Sequence, residues 1–192
     1  MRISVSAVIA MADNGAMGLK GKLPWPRMPS DLKRFRKLTM NKTVVMGRKT
    51  YESITTAIGG ELPGRQSIIL SNSMADGYLT TGNSVVVRNS YDLWPVLRDL
   101  GKRTCVVIGG AKTLLALAPN ISDLYLTIIH CSPEADVYFP AIDLWNFKPV
   151  AVEKHCGSKP SLFSSVSDKT NNVDPLDFTT VDLVRKNRST SS

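Results

Sequence analysis

The segment Thr43-Val44-Val45-Met46-Gly47-Arg48-Lys49-Thr50 runs from a short apolar stretch through one glycine into the start of a helix. The segment Val107-Ile108-Gly109-Gly110-Ala111-Lys112-Thr113 repeats this pattern with a pair of glycines. Each pattern is typical of a buried strand that leads directly into a helix. Two such units in one chain predict an α/β fold with a largely parallel central sheet.

The other segments extend this alternation along most of the chain. Strands are predicted at residues 3–10, 43–46, 66–70, 84–87, 104–108 and 123–129, and a loop at 13–27. One helix is predicted to begin at Pro29-Ser30-Asp31, and three more at 50–57, 91–100 and 111–117. Residues 147–154 and 178–185 predict a hairpin at an antiparallel edge of the sheet, joined by a long polar loop at 156–177. We expect one domain over residues 1–186 and a disordered tail at 187–192.

Length and composition limit the class of protein. The chain has 192 residues, of which 43% are hydrophobic, and its mean hydropathy is −0.04, which suits one domain with a sizeable core. No apolar run approaches the roughly 18–20 residues of a membrane span, and residues 1–11 lack a convincing signal-peptide cleavage site. We therefore expect a cytoplasmic protein that does not enter membranes.

The cysteines and histidines argue against several kinds of catalytic site. Cys105, Cys131 and Cys156 are odd in number and lack CxxC spacing, so reduced thiols are expected. The two histidines, His130 and His155, are well separated in the sequence. A histidine-based metal site or a Ser–His nucleophile is therefore not expected, and we predict no metal.

The excess of positive charge suggests an anionic ligand. The net charge is +8 and the pI is near 9.5. A solvated basic surface accounts for much of this excess, and nucleic acid or a phosphorylated cofactor is the alternative. The basic residues recur beside strand ends and helix starts and form no contiguous block. This distribution favours a small phosphate ligand over a long polyanion.

Both strand–glycine–helix units offer a place for phosphate. Free backbone N–H groups and the helix dipole attract an anion to a helix start, and Gly47 lets it approach the main chain. Arg48, Lys49 and Lys112 add positive charges suited to phosphate oxygens. Each unit alone could be an ordinary basic helix start or a tight turn. Together, at the carboxyl ends of strands, they predict a site for a dinucleotide with its two phosphates.

Polar residues at two further strand ends could complete such a site. Ser71 and Asn72 follow one predicted strand, and Arg88 follows the next. Their hydroxyl, amide and guanidinium groups could hold an adenosine ribose and its 2′-phosphate. The alternative, which fits each of them singly, is an ordinary polar loop residue.

Arg65 stands at the entrance to a strand, directly after the turn Leu62-Pro63-Gly64. An arginine that a Pro-Gly turn positions in advance suits bidentate binding of a carboxylate. A solvated arginine is the more common arrangement in proteins, and the residue alone does not decide between the two.

Asp31 is the acid beside the apolar face that Leu32 and Phe35 form at the start of a helix. It could be a helix-terminal acid that the dipole stabilises. It could instead accept paired N–H bonds from a 2-amino-4-oxo-pyrimidine and favour a protonated ring, because a poorly hydrated carboxylate needs donors. Trp25 could wall such a site, help to hold water, or anchor the loop.

These pieces resemble dihydrofolate reductases in order and approximate spacing. The resemblance covers residues 3–140, and the terminal hairpin matches only loosely. The segments that carry it are Gly18…Leu23-Pro24-Trp25…Asp31…Phe35, Val45-Met46-Gly47-Arg48-Lys49-Thr50-Tyr51-Glu52-Ser53-Ile54, Leu62-Pro63-Gly64-Arg65, Ile108-Gly109-Gly110, Leu124-Tyr125-Leu126-Thr127 and Asp136…Phe139-Pro140.

The resemblance implies a role for each part of the site. The substrate acid corresponds to Asp31, a threonine that backs it corresponds to Thr127, and Arg65 corresponds to the arginine that binds the glutamate tail. The pterin and benzoyl pocket would be lined by Val8, Ala10, Leu32, Phe35, Ile54, Leu62 and Ile108. NADPH would be held by Ala10, Met17, Gly18, Leu19, Leu23, Gly47, Arg48, Lys49, Thr50, Ser71, Asn72, Arg88, Gly109, Gly110, Ala111, Lys112 and Thr113, with residues 17–23 in a loop over the nicotinamide.

The same resemblance implies a three-layer fold with helices on both faces of the sheet, and a cis peptide between Gly109 and Gly110. It implies reduction of 7,8-dihydrofolate to tetrahydrofolate for one-carbon metabolism, with antifolates as inhibitors, in a monomer that does not bind nucleic acid. Leu114 departs from the pattern, because the family often has an aromatic residue there, near the nicotinamide.

Two other functions compete with this interpretation. A reductase of the riboflavin-pathway type, on a related fold, would also use NADPH but has no reason to keep Trp25 with Asp31, or Arg65 as a clamp. A basic nucleic-acid-binding module should pair its charges with exposed aromatic residues or arrange them in a stripe, and the sequence shows neither.

Overall fold

The computed structural model describes residues 3–74, 77–78, 83–157 and 173–186, which build a central nine-stranded sheet and a small two-stranded sheet. The strands are β1 (Ser4–Ala12), β2 (Ala16–Gly18), β3 (Thr43–Gly47), β4 (Gln66–Leu70), β5 (Gly77–Tyr78), β6 (Ser84–Val87), β7 (Thr104–Gly109), β8 (Ile121–Ile129), β9 (Val137–Tyr138), β10 (Phe147–His155) and β11 (Phe178–Arg185). The helices are α1 (Pro29–Thr39), α2 (Arg48–Ile58), α3 (Leu93–Asp99) and α4 (Ala111–Leu117), with 3₁₀ turns at Ala118–Asn120 and Leu144–Asn146.

The central sheet has the order β10-β11-β8-β1-β7-β3-β4-β6-β5. The inner strands from β8 to β6 pair in parallel, whereas β10 with β11, β11 with β8, and β5 with β6 pair antiparallel. This confirms the predicted α/β fold with a mostly parallel sheet and an antiparallel hairpin at its C-terminal edge.

The connections explain why helices cover both faces of the sheet. From β1 the chain steps through β3, β4 and β6 in one direction, and then returns through β7 and β8 in the other. Crossovers between parallel strands are right-handed, so a reversal of direction moves the connecting helices to the opposite face. Helices α1 and α2 therefore lie on one face, and α3 and α4 on the other.

The core is formed by apolar strand residues and by the inner sides of the helices. Val45, Ile68 and Val107 are fully buried in the sheet, and Leu97 and Leu117 pack against it from α3 and α4. Runs of buried residues on both faces are what a parallel sheet covered by helices requires. Within the described residues, no helix has the length and apolar character to cross a bilayer.

The structure differs from the sequence-based prediction mainly between residues 13 and 27. Part of this predicted loop forms β2, which pairs with β9. Strand β8 also begins two residues earlier than predicted, at Ile121. The predicted loop at 156–177 falls largely, and the predicted tail at 187–192 entirely, outside the described residues, and the single domain over 1–186 stays a prediction.

Candidate active site

Helix α1 places Asp31 in its first turn, beside strand β8. Burial raises the pKa of the Asp31 carboxyl, a hydrogen bond from Thr127 and the charge of Arg34 oppose this, and the charge of Asp174 adds to it. The cost of removing charge from water thus dominates. The side chain keeps partial exposure, so a ligand with N–H donors can reach it.

The sheet register brings Thr127 to this point. Thr127 lies on β8 between Ala10 on β1 and Thr180 on β11, and it is 2% exposed. Because β8 is flanked on both sides, its backbone is fixed and the hydroxyl has a defined position. A buried hydroxyl that donates to Asp31 stabilises the ionised form of the acid.

Trp25 is buried close to the end of β1. It packs in a cluster with Ala12, Met28 and Phe178, against which Ala10 also packs. Its indole Nε1 is buried and has no hydrogen-bond partner within the part of the chain that the structure describes. Since a buried indole N–H ordinarily finds an acceptor, this donor is suited to a ligand atom or a water.

Apolar side chains with partial exposure accompany the acid. Leu32 is 40% exposed on α1 although it is a large apolar residue. The partly exposed residues of this kind at predicted site positions are Ala10, Phe35, Ile54, Leu62 and Ile108, and Val8 is buried. Partly exposed apolar side chains of this kind suit contact with an aromatic ligand.

Arg65 is held by its neighbours in one orientation. Its Nη1 donates to Thr39 Oγ1 at 3.0 Å, its Nε donates to the Pro63 carbonyl at 3.1 Å, and its guanidinium lies 5.9 Å from the Phe35 ring centroid. Burial lowers the pKa of Arg65, and the charge of Arg36 lowers it further. No acid pairs with Arg65 within the described residues, so its remaining donors suit a ligand carboxylate.

The two strand–glycine–helix units interlock at the carboxyl ends of β3 and β7, which are neighbours in the sheet. A Cβ at Gly47 would lie 2.9 Å from Thr113 Oγ1, and a Cβ at Gly110 would lie 3.2 Å from Thr50 Oγ1. Each helix start thus approaches the glycine of the other unit. The peptide between Gly109 and Gly110 is cis, as predicted.

The charged residues near these glycines are arranged unequally. Lys49 and Lys112 are exposed, whereas Arg48 Nη1 donates to Glu52 Oε1 at 2.7 Å. Arg48 can therefore bind a phosphate only if it shares or leaves this partner. Leu114 is fully buried and packs in the core of the protein.

The predicted ribose-binding residues have different surroundings. Ser71 is 7% exposed, and its Oγ accepts from the Met74 N–H at 3.1 Å, so it stabilises a turn. Asn72 and Arg88 are exposed at neighbouring strand ends, where β4 and β6 pair. The structure brings these three residues to one end of the sheet, and their role in binding stays a prediction.

The segment that contains Met17, Leu19 and Leu23 forms β2 and a tight turn. Leu19 and Lys22 exchange backbone hydrogen bonds, and Lys20 N donates to Asp136 Oδ2 at 2.9 Å. Ser53 of α2 donates to the Gly21 carbonyl at 2.6 Å. These contacts fix the turn against the helix that follows β3, while Leu23 stays 54% exposed.

Sequence reasoning missed three charged residues at the acid. Arg34 forms an ion pair with Asp182 of β11, and Asp174 accepts from the Ser30 N–H at 2.9 Å. Arg34 was visible at helical spacing from Asp31, but its partners are more than a hundred residues away in sequence. Within the described residues, no cluster of His, Cys, Asp and Glu has the grouping of a metal site.

Comparison with known proteins identifies similar chains and a similar structure. A family model described as dihydrofolate reductase matches residues 4–166. The dihydrofolate reductase of Bacillus subtilis is 35% identical over 150 residues, which cover 78% of this chain and 83% of that protein. The dihydrofolate reductase HdrB of Haloferax volcanii is 38% identical over 139 residues, with 71% and 70% covered.

A solved structure agrees with these sequence matches. Dihydrofolate reductase from Enterococcus faecalis, complexed with NADP(H) and RAB-propyl, superposes with a TM-score of 0.76 at 27% identity. The match covers 95% of this chain and 96% of the other.

Proposed function

Because this chain belongs to the dihydrofolate reductase family, we propose that its NADPH-dependent reduction of 7,8-dihydrofolate depends on Asp31 as the acid that holds the pterin. The product is 5,6,7,8-tetrahydrofolate, which supplies one-carbon metabolism, and antifolates compete for the same site. The observation that carries the proposal is the partly exposed Asp31 carboxyl beside the buried Thr127 hydroxyl.

The role of Asp31 follows from its surroundings. An ionised carboxylate there accepts from the 2-amino group and the adjacent ring N–H of the pterin. Its negative charge, in a site of low polarity, also favours a proton at N5 of the ring. The acid does not itself transfer this proton, and water delivers it. The free indole N–H of Trp25 suits that water, and Thr127 keeps Asp31 oriented.

NADPH supplies the hydride that reaches C6 of the pterin. A side chain at Gly47 would meet Thr113, so the two helix starts lie close together. Their backbone N–H groups would then be available to a bound dinucleotide. Gly109 to Thr113 and Gly47 to Thr50 would hold the phosphates, and Ser71, Asn72 and Arg88 the adenosine end. The turn that contains Leu19 would limit access of water to the nicotinamide. It would also help to hold the reacting carbons of NADPH and the pterin close together.

Arg65 would bind the α-carboxylate of the glutamate tail. Its hydrogen bonds to Thr39 Oγ1 and to the Pro63 carbonyl fix the plane of the guanidinium before substrate arrives. A pre-positioned guanidinium loses less side-chain entropy on binding, so the carboxylate is held more tightly than by a free arginine.

We further propose a cytoplasmic monomer that does not bind nucleic acid. The three cysteines are free, which suits a reducing compartment. A net charge of +8 would attract the phosphates of NADPH and the carboxylates of folate. Light scattering would test the monomer, and a filter-binding titration with single-stranded DNA would test the absence of nucleic-acid binding.

The direct test of the function measures the fall in reduced-nicotinamide absorbance with purified protein, dihydrofolate and either NADPH or NADH. We expect rapid turnover with NADPH and much slower turnover with NADH. The variant Asp31→Asn tests the assignment of the acid. Wild-type rates of that variant at neutral pH would overturn it, while absence of turnover in the wild-type protein would overturn the function.

A further inference from the structure

Asp174 is a buried acid at the start of helix α1. Its side chain is 7% exposed, and its Oδ1 accepts from the Ser30 N–H at 2.9 Å, across 144 residues of sequence. The residue at the N-cap position of α1, Met28, offers no side-chain acceptor. Asp174 therefore accepts a hydrogen bond from a free N–H group in the first turn of α1, as an N-cap side chain ordinarily does.

This position brings Asp174 close to the substrate acid. Ser30, whose N–H it accepts, precedes Asp31 in the first turn of α1. A carboxylate in a poorly hydrated region favours a proton on a second carboxyl group nearby. The raised pKa of Asp31 is consistent with this geometry, because burial raises it first and Asp174 adds to the effect.

Arg34, the other charged residue that acts on Asp31, has an ion-pair partner, whereas Asp174 has none among the described residues. On α1 itself, Arg34 faces Asp31 but also binds Asp182 of β11, so its charge is shared between two acids. Thr127 of β8 is polar but carries no charge. No basic side chain forms an ion pair with Asp174 within residues 3–74, 83–157 and 173–186.

We propose that Asp174 is a positioning residue for dihydrofolate reduction, which fixes the first turn of α1 and adds negative charge that favours the protonated pterin. The inference rests on the proposed function of Asp31. The segment before β11 thus takes part in the reaction, although it is far in sequence from the helix that carries Asp31.

The substitution Asp174→Asn separates the two effects. Asparagine keeps an oxygen that accepts from Ser30, so the helix start is retained, while the negative charge is lost. A bound pterin then holds its N5 proton less tightly. We expect the pH at which hydride transfer declines to move lower by about half a unit, which slows the step about threefold above that pH.

The matched control is Asp177→Asn, in the same segment. Asp177 is exposed, and its Oδ1 accepts from the Gly157 N–H at 2.7 Å, an interaction that asparagine can also make. Both variants change the net charge equally, so a general charge effect would move both profiles. We expect the Asp177→Asn profile to match the wild type.

The variant Asp174→Ala tests the structural part. It removes the acceptor as well as the charge, so the melting temperature of the ligand-free protein should fall by about 2–4 °C, whereas Asp174→Asn should change it less. Single-turnover measurements from pH 5 to 9 supply the profiles, because slow product release would otherwise hide the hydride step.

The outcomes distinguish this inference from the proposed function. An Asp174→Asn profile that overlays the wild type, or one that Asp177→Asn reproduces, would overturn the role of Asp174 while Asp31 keeps its own. Wild-type rates in Asp31→Asn would instead overturn the proposed function itself. Because the inferred charge of Asp174 acts on the pterin itself, the double variant Asp31→Asn/Asp174→Asn should be about threefold slower than Asp31→Asn alone at the same pH.

Discussion

At the scale of single residues, Asp31 combines a poor environment for its charge with the groups that make the charge useful. Burial raises its pKa, and Thr127 and Arg34 only partly oppose the effect. The folded protein therefore binds this proton more tightly than the unfolded chain does. Stability contributed by the protonated acid is present at low pH and is lost as pH rises from the unfolded pKa through the folded one. At neutral pH the ionised acid destabilises the ligand-free protein.

The substitution Asp31→Asn should therefore separate stability from activity. We expect a higher melting temperature for the ligand-free variant at neutral pH, since the buried charge is gone, and a gain that disappears at acidic pH. Turnover at neutral pH should fall by about 100-fold or more, while NADPH affinity is unchanged. Calorimetry at two pH values measures the melting temperature, and single-turnover kinetics measure the rate. A variant that is less stable and fully active would refute the role given to Asp31.

The substitution Arg65→Leu should discriminate between substrates. Loss of a charge-assisted pair with the α-carboxylate should weaken dihydrofolate binding by about 1.5–3 kcal/mol. A pterin without a glutamate tail should bind almost as it does to the wild type. Arg65→Lys is the matched control, because it keeps the charge without the fork and should lose an intermediate amount. Equal losses for both ligands would contradict a carboxylate clamp.

The residues differ in how far the sequence alone could reveal them. Asp31 and Arg65 stand beside local signals, a helix start and a Pro-Gly turn, that sequence reasoning can detect. Asp174, which acts on Asp31, and Asp182, which pairs with Arg34, carry no such signal, because these contacts depend on which strands and loops meet in space. Burial of Leu114 was equally hidden, since its neighbours lie on other elements of the core.

At the scale of elements, the close approach of α2 and α4 to each other's glycines shapes the proposed cofactor site. Gly47 and Gly110 leave room for Thr113 and Thr50, respectively. A methyl group at either glycine would compete with a hydroxyl for the same space. The local pattern of strand, glycine and helix was readable in the sequence, but the pairing of one unit with the other was not.

The substitution Gly47→Ala should disturb this arrangement. Its Cβ would lie 2.9 Å from Thr113 Oγ1, and Thr113 at the start of α4 must therefore shift. We expect the KM for NADPH to rise about tenfold, an effect of about 1.4 kcal/mol, with less change in the KM for dihydrofolate. Gly60→Ala is the control, because nothing lies within 4 Å of a Cβ at that position. A Gly47→Ala enzyme with wild-type KM for NADPH would argue against the cradle.

The turn at residues 19–22 is fixed to the rest of the protein through Asp136. Its carboxylate accepts from Lys20 N at 2.9 Å, and its own N–H donates to the Gly18 carbonyl. Asp136→Ala removes the first contact, worth about 1 kcal/mol, and should raise the KM for NADPH about fivefold by loosening the turn. Glu134→Ala, also at an exposed position, should have no effect. Faster hydrogen exchange confined to residues 16–22 would support the mechanism, and unchanged exchange would contradict it.

At the scale of the whole molecule, the strand order could not be predicted from the sequence. The alternation of elements predicts the fold class. It does not predict that β7 lies between β1 and β3, or that β8 lies between β11 and β1. The short strands β2, β5 and β9 were missed for a related reason, because two or three residues carry no periodic pattern. Long-range pairing forms these strands, not local propensity.

Thiol reactivity should report the burial pattern of the entire fold. Cys156 is exposed, whereas burial raises the pKa of Cys105 to about 12 and burial, with Asp13, raises that of Cys131. A disulfide reagent at neutral pH should modify Cys156 rapidly, Cys131 slowly, and Cys105 only after unfolding. Peptide mapping after timed labelling checks the order, and early modification of Cys105 would show that β7 is not in the centre of the sheet.

The proposed function depends most on Asp31 as the acid that holds the pterin. A crystal structure with NADPH and a 2,4-diaminopyrimidine antifolate measures this directly. We predict that both carboxylate oxygens of Asp31 lie within about 3 Å of the protonated ring nitrogen and the 2-amino group. A bound antifolate with Asp31 turned toward solvent and another group on its amino-pyrimidine edge would contradict the account.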